Sequence, residues 1–254
     1  MLPLERRTKI LEVLYKQKKI TTNELEELLG VSACTIRNDL RKLEEDGLVE
    51  RSHGGAVIPQ SIQQNFSFSK RQLINKHEKD IICRKALDFI RNGNCIIIDA
   101  SSTCLTLAKH LHDFERLMVV TNGIYTALEL KDNPNINLIL TGGIVRPKSG
   151  SLEGLLAKNL INQINADVIF VSAQGFTLEE GLTDFNLHEC ELKKLMISKA
   201  KKVVALLDYL KIDRNSSASF ARSNQVDVII TDAKAPQSCI EKYRQAGIEV
   251  VICE

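Results

Sequence analysis

The sequence predicts an α/β protein in which a larger domain, built on a mainly parallel sheet, follows a small N-terminal domain of helices and a hairpin. From about residue 94 onward, short apolar runs alternate with amphipathic helical stretches. Runs that are apolar on both faces are typical of strands covered by helices on each side. Residues 1–57 instead carry short helical patterns that are separated by closely spaced helix-ending residues such as glycine. We therefore expect two domains, 1–57 and 76–254, joined by a linker over 58–75 that lacks sustained periodicity.

The composition is that of an ordinary globular chain. Its 254 residues are 44% hydrophobic with a net charge of +2, and no apolar run approaches the ~18 residues of a membrane helix. The N-terminus does not resemble a signal peptide, so we expect a cytoplasmic protein that contacts no membrane. Seven cysteines without a C-x-x-C pair indicate small, buried or neutral fillers, and we expect neither a metal nor a cofactor.

Three helical patterns follow one another closely in the N-terminal domain. Thr21 to Glu24 match a capping box, in which a hydroxyl and a Glu three positions on satisfy free N–H groups at a helix start. That second helix ends at Gly30, and Ser32 is the predicted N-cap of the third. The stretch LVERSHGGAVI predicts two strands joined across His53-Gly54-Gly55, since glycine tolerates the positive φ of a tight hairpin. The side chains expected to face the core are Ile10, Leu11, Val13, Leu14, Leu25, Leu28, Leu29, Ile36, Leu40 and Leu43.

This order of elements is typical of a winged helix-turn-helix, whose third helix enters the major groove of double-stranded operator DNA. Arg pairs with guanine through two hydrogen bonds and Asn does so with adenine, while Ser and Thr suit phosphate contacts. Residues 1–57 carry ten Lys/Arg and ten Asp/Glu, so a basic surface must come from arrangement. The alternative is that these side chains are simply solvated. The candidate DNA-binding residues are Ser32, Thr35, Arg37, Asn38, Arg41, Arg51, His53 and Gly54.

The second domain begins with a helical pattern over His77–Asn92 and continues with strands and helices in alternation. A sheet of this kind binds ligands at the carboxyl ends of its strands. The predicted strands are Cys95–Asp99, Leu117–Thr121, Ile136–Leu140, Val168–Val171, Val203–Leu207, Val226–Ile230 and Glu249–Cys253. The predicted helices between them are Leu105–Leu111, Tyr125–Leu130, Leu155–Ile164, Glu189–Lys199 and Cys239–Gln245.

One strand end carries an anion-binding pattern. In IIIDASSTCLTLAKHL, Asp99 ends a strand, and Ser101, Ser102 and Thr103 open a helix. Free backbone N–H groups, the helix dipole and three hydroxyls favour an anion at this turn. The alternative is structural, with Ser101 or Ser102 merely capping the helix.

Other strand ends carry similar polar or glycine residues, and their loops should converge on one rim. Ammonium and guanidinium groups there suit a phosphate, while carboxylates and Asn suit sugar hydroxyls. Each residue could equally be a solvated charge or a glycine that its backbone requires. The further candidate effector-binding residues are Asn122, Gly142, Arg146, Gly175, Thr183, Asp184, Glu189 and Lys211, with Lys193 on the same rim.

With these motifs the sequence resembles the DeoR family of bacterial regulators across nearly its whole length. The stretch VSACTIRNDLRKLEEDGLVERSHGGAV is similar to the family's recognition helix and wing, although the family usually has a second Arg at the position of Asn38. In the second domain, DASST, VVTNG, LTGGIVR, GLTD and the D-x-x-K of Asp208 to Lys211 are similar to the family's sensor domain. Ile212 stands where the family often has Phe.

The resemblance implies a sensor related in fold to ribose-5-phosphate isomerase and coenzyme A transferases, with a phosphorylated sugar as effector. It implies that the effector phosphate sits on the Ala100–Thr103 turn with Lys211 nearby. The expected function is a repressor of carbohydrate catabolism that releases its operator when the sugar phosphate binds. An operator of this kind has two successive half-sites, and each half-site binds one DNA-binding domain. We therefore expect a homodimer or homotetramer.

Two alternatives come from other functional classes. A sugar-phosphate isomerase or acyl-transfer enzyme with an appended DNA-binding head would need an acidic pair where this chain has Ser172, Ala173 and Gln174, which leaves Glu189 as a base without partners. A redox switch through Cys34 on the third helix would need a stabilised thiolate, and no basic pair immediately flanks this cysteine. We therefore expect no catalytic residues and a regulator rather than an enzyme.

Overall fold

The computed structural model describes residues 2–17, 19–45, 49–52, 54–57 and 68–254. The chain forms two compact units, Met1–Ile74 and Asn75–Glu254. Residues 58–67 of the predicted linker lie outside the described residues, and the later part of that linker contains a helix. None of the described helices is both long and apolar enough to cross a membrane.

The first unit combines helices with a small antiparallel sheet. Its elements are α1 (Pro3–Gln17), β1 (Lys19–Thr21), α2 (Thr22–Leu29), α3 (Ala33–Glu45), β2 (Glu50–Ser52), β3 (Gly55–Val57) and α4 (Phe68–Leu73). The predicted hairpin is present as β2 and β3, and β1 pairs with the other edge of β3. Strand β1 is not indicated by the sequence, because three residues between two helices are too few for a strand pattern. The core consists of Ile10, Leu14, Ile20, Leu25, Ile36, Leu40, Leu43, Val49 and Ala56.

The start of α2 is fixed by the predicted capping box, which the structure confirms. The Glu24 N–H donates to the Thr21 hydroxyl at 3.3 Å, and the Thr21 N–H donates to the Glu24 carboxylate at 2.7 Å. Gly30 ends the helix with a φ of 64°, a left-handed conformation that glycine adopts without strain. The turn between α2 and α3 is therefore set by local sequence.

One prediction about α2 is wrong. Leu28 was expected to face the core, but its side chain is 57% exposed while Thr22 is buried. At 3.6 residues per turn, Thr22, Leu25 and Leu29 lie within about 60° of one another, and Leu28 lies outside that arc. The inner face of α2 therefore includes a threonine in place of the third leucine.

The second unit contains the remaining elements, which alternate between strands and helices as predicted. The helices are α5 (Lys76–Ala86), α6 (Ser102–Ala108), α7 (Ile124–Leu130), α8 (Leu155–Ile161), α9 (Leu187–Ser198) and α10 (Gln237–Gln245). The strands are β4 (Cys95–Ile98), β5 (Leu117–Thr121), β6 (Ile136–Leu140), β7 (Ile144–Val145), β8 (Leu152–Glu153), β9 (Ala166–Val171), β10 (Gly175–Thr177), β11 (Gly181–Asp184), β12 (Ala200–Leu206), β13 (Ala218–Ala221), β14 (Val228–Asp232) and β15 (Glu249–Cys253).

A seven-stranded parallel sheet organises this unit, in the order β15-β14-β12-β9-β4-β5-β6. All neighbouring pairs in it are parallel, and its members are the seven strands predicted from the sequence. Ile96 and Ile98 pack into one core and Ile97 into the other. Both faces are therefore buried, which is why the strand sequences are continuously apolar. The carboxyl ends of these strands carry most of the candidate effector residues.

Shorter elements depart from prediction. The helix expected over His77–Asn92 ends at Ala86 and continues as a 3-10 turn, Leu87–Phe89. Strand β12 spans Ala200–Leu206, and its start is the largest boundary difference among the seven strands. The antiparallel sheet β10-β11-β13 and the hairpin β7-β8 were not predicted, because strands of two to four residues leave no periodic signal.

Candidate functional site

The outer face of α3 presents a row of polar side chains. Arg37, Asn38 and Arg41 are exposed, whereas Ile36 and Leu40 on the opposite side are buried. The Arg41 guanidinium donates to the Asn38 side-chain oxygen at 3.3 Å. The three side chains predicted to read bases therefore lie on one solvent-facing surface. This surface has the chemistry that major-groove recognition uses.

The ends of this surface carry the other candidate DNA-binding residues. Ser32 is confirmed as the N-cap of α3, since its hydroxyl accepts from the Thr35 N–H at 3.4 Å. The two hydroxyls of this pair lie 3.0 Å apart. In the hairpin, Arg51 is exposed and Gly54 has a φ of 84°. His53 lies outside the described residues.

A buried carboxylate fixes α3 against α1. Asp39 is 6% exposed and accepts a hydrogen bond from the Arg6 guanidinium, with Arg7 at 3.7 Å. The sequence alone does not indicate a structural role for Asp39 in the N-terminal domain. The available signal was an acidic residue on the apolar side of an amphipathic helix, a position that requires a partner.

In the second unit, a buried ammonium group joins several candidate residues. Lys193 Nζ donates to Asp184 Oδ2 and to the Ser172 carbonyl, each at 2.9 Å, and lies 3.3 Å from Asp99 Oδ2. Burial by itself would lower the pKa of Lys193, but the Asp184 and Asp99 carboxylates raise it above its ordinary value. Burial would likewise raise the pKa of Asp184, but Lys193 holds it below its ordinary value. Lys193 and Asp184 therefore stabilise each other as ions.

Asp99 also receives two backbone hydrogen bonds. The Ser101 N–H donates to Asp99 Oδ1 at 2.9 Å, and the Ser172 N–H donates to Asp99 Oδ2 at 3.1 Å. This carboxylate is fully buried. It thus ties the turn after β4 to the residue after β9, and its oxygens are engaged within the protein.

The turn after Asp99 has both structural and candidate binding features. Ser101 caps α6, because its hydroxyl accepts from the Cys104 N–H at 3.1 Å, so the structural alternative holds for this residue. The Lys79 ammonium donates to the Ser102 hydroxyl at 3.2 Å. Lys79 is 4% exposed and Thr103 is 2% exposed. The sequence does not indicate a role for Lys79, since a lysine on a helix before the first strand of the sheet gives no signal that its ammonium reaches the strand ends.

A second group of candidates lies along the hairpin β7-β8. The Ser151 hydroxyl donates to Glu189 Oε1 at 2.8 Å, and the Arg146 guanidinium lies 5.7 Å from the centre of the Phe185 ring. The Asn122 amide donates to the Leu152 carbonyl at 3.3 Å. The structure therefore connects Asn122, Arg146 and Glu189 through one hairpin, although they are distant in sequence.

Two lysines donate hydrogen bonds to carbonyl groups of the segment that follows β9. Lys211 Nζ donates to the Ala173 carbonyl at 2.6 Å, one residue after the carbonyl that accepts from Lys193. Lys211 also lowers the pKa of Asp184, so its charge lies near that carboxylate. Two successive carbonyl oxygens, those of Ser172 and Ala173, thus each accept from a lysine.

The remaining candidates have packing constraints of their own. The Thr183 hydroxyl donates to the Gly175 carbonyl at 3.2 Å and accepts from the Ser216 N–H at 3.0 Å. A Cβ on Gly175 would lie 2.3 Å from the Arg214 carbonyl oxygen. Gly142 has a φ of 69° and open space beside it. The contacts of Thr183 and Gly175 therefore lie within and beside the small sheet β10-β11-β13.

Several buried polar atoms have no hydrogen-bond partner among the described residues, and two of them, Ser172 Oγ and Asn122 Oδ1, belong to residues that directly follow strands of the parallel sheet. These residues are 2% and 5% exposed, respectively. A ligand or water that supplied the missing hydrogen bond would remove the cost of leaving such an atom unpaired.

The cysteines agree in part with their interpretation as small buried or neutral fillers. Cys34 is exposed on α3 and Cys95 is half-buried, while the other five are buried. Burial raises the pKa of the Cys190 thiol to about 11. The described residues contain no group of three or more His, Cys, Asp or Glu that could hold a metal ion.

A three-helix head with a hairpin and an exposed Arg/Asn face, followed by a parallel α/β unit with a charged rim, defines a DNA-binding regulator. The DeoR-like helix-turn-helix domain matches residues 6–62, and the DeoR C-terminal sensor domain matches residues 74–233. The chain therefore belongs to the DeoR family, whose members are transcriptional regulators and not enzymes. The interpretation as an isomerase or acyl-transfer enzyme is thereby excluded.

Two similar transcriptional regulators align with nearly the whole of this chain. The HTH-type transcriptional regulator GolR of Listeria innocua is 50% identical over 254 residues, covering 100% of both chains. The glycerol-3-phosphate regulon repressor of Escherichia coli is 31% identical over 249 residues, covering 98% of both chains. A solved D-ribose-5-phosphate isomerase covers 54% of each chain at 17% identity with a TM-score of 0.39, which is too low to transfer anything from it.

The buried ion cluster leads to a stability prediction. Lys193→Met leaves the Asp99 and Asp184 carboxylates buried without their cation, and we expect a loss of about 3–5 kcal/mol at pH 7.5. Without the ammonium, burial raises the pKa of Asp184 in the folded state, so its protonation relieves part of the loss as the pH falls. The deficit should therefore shrink at pH 5. Urea unfolding followed by circular dichroism at both pH values measures it.

The matched control is Lys201→Met. Lys201 pairs with Asp167 at 2.9 Å, but its side chain is 77% exposed, so its loss should cost no more than ~1 kcal/mol. Equal effects of the two variants, or a Lys193→Met deficit that grows on acidification, would contradict the account of the cluster.

Proposed function

We propose that the protein is a repressor of a carbohydrate catabolic operon that releases its operator when a phosphorylated sugar binds the second unit. Membership of the DeoR family supports DNA binding. Similarity to the glycerol-3-phosphate regulon repressor supports repression and a phosphorylated, hydroxylated effector. We further propose that the protein acts in the cytoplasm as a homodimer or homotetramer, because two heads are needed to occupy two half-sites.

On the DNA side, Arg37, Asn38 and Arg41 contact base edges and Thr35 contacts a base or phosphate. Their exposure on one face of α3 supports this assignment. Phosphate contacts from Ser32 and from the wing fix the position of the head on the duplex. The wing residues in this proposal are Arg51, His53 and Gly54.

On the effector side, the phosphate binds at the turn formed by Ser101, Ser102 and Thr103. The observation that carries this proposal is the buried ammonium of Lys79, 3.2 Å from the Ser102 hydroxyl. A cation and a hydroxyl held together at a strand end form charge-assisted hydrogen bonds with a phosphate. Lys211, whose ammonium lies on the Ala173 carbonyl, supplies a second cation.

The sugar hydroxyls bind beside the phosphate. Ser172 Oγ and Asn122 Oδ1 supply the buried polar atoms that have no partner among the described residues. Glu189, Asp184 and Arg146 supply further polar groups, while Asp99 orients the turn. Gly142, Gly175 and Thr183 complete the proposed site by shaping its loops.

The start of α5 transmits the conformational change caused by effector binding to the DNA-binding unit, since this helix follows directly after the first unit. Asn75 donates to Asp208 Oδ1 at 3.0 Å, Lys79 donates to Ser102, and Glu78 pairs with Lys234. The segments that follow β4, β12 and β14 thus hold the start of one helix. An effector that binds at Ser102 changes these contacts, and a ligand shifts an equilibrium only through such differential interactions.

The DNA-binding half is tested with Arg37→Ala. Loss of a two-pronged contact with guanine should weaken operator binding by about 1–3 kcal/mol and relax the preference at one position. Fluorescence anisotropy with DNA that the protein itself enriches from a random pool measures both effects. Arg91→Ala, which removes the same charge from the second unit, serves as control. Equal affinities of Arg37→Ala and the wild type would refute the assignment.

The effector half is tested by thermal shift of the full chain. The panel contains pentose 5-phosphates, hexose 6-phosphates and glycerol 3-phosphate, each with its unphosphorylated parent. A ligand at 100 times its Kd stabilises by ~2.7 kcal/mol, and we expect this effect for a phosphorylated compound only. Lys211→Ala and Ser102→Ala should each weaken binding at least tenfold, because a charge-assisted hydrogen bond contributes about 1.5–3 kcal/mol.

Ser198→Ala is the matched control for the serine variant, because its hydroxyl donates to the Leu195 carbonyl at the far end of α9. Its response to the panel should equal that of the wild type. A flat wild-type response to every phosphorylated compound would count against sugar-phosphate sensing and leave the DNA-binding assignment intact.

A further inference from the structure

The exposed large apolar side chains of the second unit are concentrated in one part of the chain. Within residues 75–254, all of them lie between Tyr125 and Leu187. Helices α5 and α10 contribute none. We define an apolar patch as six aliphatic side chains with exposed fractions between 52% and 73%: Leu128, Ile144, Val145, Leu155, Leu156 and Leu187.

The hairpin β7-β8 connects one half of this patch. The ring of Tyr125, on α7, packs over Gly150, where an added Cβ would lie 2.4 Å from the ring. The Ile144 side chain reaches within 3.9 Å of the corresponding Cβ position of Gly154. Leu155 follows directly after Gly154. Helix α7, the hairpin and the start of α8 therefore form one surface.

The same hairpin reaches the start of α9. Arg146, next to Val145, lies over the Phe185 ring, two residues before Leu187. A salt bridge of 2.7 Å between Lys158 and Glu191 connects α8 to α9. The six side chains therefore surround one hairpin rather than being scattered over the unit.

The patch is as large as the largest that a monomer ordinarily exposes. At these exposed fractions the six residues, backbone atoms included, leave roughly 700 Å² in solvent, beside the ~300–600 Å² of the largest apolar patch on a typical monomer. A stable interface of standard size takes ~800 Å² from each partner. One such patch per chain therefore suffices for the apolar centre of a dimer.

From this area and its surroundings we infer that the apolar patch is the contact through which a second copy of the chain binds. A two-fold contact places the same patch on both partners. It then also places Lys158 and Glu191, of opposite sign and both at the rim of the patch, on each side. A two-fold axis therefore brings one charge of each sign from this pair to each side of the contact.

This inference rests on the proposed function, which requires two DNA-binding domains on one operator. It adds the surface through which the two chains are joined. The hairpin that carries Ile144 and Val145 also carries Arg146, which belongs to the proposed effector site, and Ser151, which donates to Glu189 of that site. The dimer contact and the effector site thus share one structural element.

Sedimentation velocity of the full chain at micromolar concentration tests the inference. The wild type should sediment as a dimer or larger assembly. Ile144→Ser combined with Leu155→Ser should raise the dissociation constant at least tenfold, and Leu156→Ser alone should shift it in the same direction. Both sets of residues are exposed, so the fold should persist, which circular dichroism checks. Leu28→Ser, a similarly exposed leucine of the first unit, should sediment as the wild type does.

The outcomes separate this inference from the proposed function. A monomeric wild type, or patch variants that assemble as the wild type does, would overturn the inference even if the sugar-phosphate panel gives a response. A dimer that the patch variants dissociate supports the inference even if the panel is flat, in which case only the effector assignment fails.

Discussion

The contact between Lys193 and the carboxylates of Asp99 and Asp184 holds the second unit in its functional arrangement. Asp99 follows β4 of the parallel sheet, Asp184 ends β11 of the small antiparallel sheet, and Lys193 lies on α9 between them. Burying three charges is costly, and it is tolerated only when the geometry and the additional hydrogen bonds are good. Here the Ser101 and Ser172 N–H groups and the Ser172 carbonyl complete the set. The cluster therefore fixes how the two sheets meet.

Much of the proposed effector site follows from that arrangement. Asp99 orients the turn on which Ser102 lies. The Ser172 N–H and carbonyl are engaged by Asp99 and Lys193, while the Ser172 hydroxyl has no partner among the described residues. Lys79 and Lys211 are the cations assigned to the phosphate. The first unit also contains a buried ion pair. Asp39 and Arg6 fix α3 against α1 and thereby position the surface that carries Arg37.

Local signals in the sequence were sufficient for the framework. Continuous apolar runs located all seven strands of the parallel sheet, and the capping box at Thr21 and the N-cap at Ser32 located the starts of α2 and α3. The sequence could not locate β1, β7 or β10, because strands of two or three residues leave no periodic signal. It likewise could not assign Lys79, whose ammonium reaches Ser102 only through the packing of α5 on α6. The predicted burial of Leu28 was wrong, because apolar character alone does not show which side of a short helix faces the core.

The claim that connects the two units is that effector binding weakens DNA binding through the start of α5. The most direct test measures the affinity of the protein for its enriched DNA by fluorescence anisotropy, with and without the sugar phosphate that stabilises it. We expect the wild type to bind DNA about 5- to 150-fold more weakly with the sugar phosphate, corresponding to a coupling of about 1–3 kcal/mol. Asn75→Ala, which removes the contact with Asp208, should retain DNA binding and reduce this ratio. A sugar phosphate that binds the wild type and leaves its affinity for DNA unchanged would contradict the account.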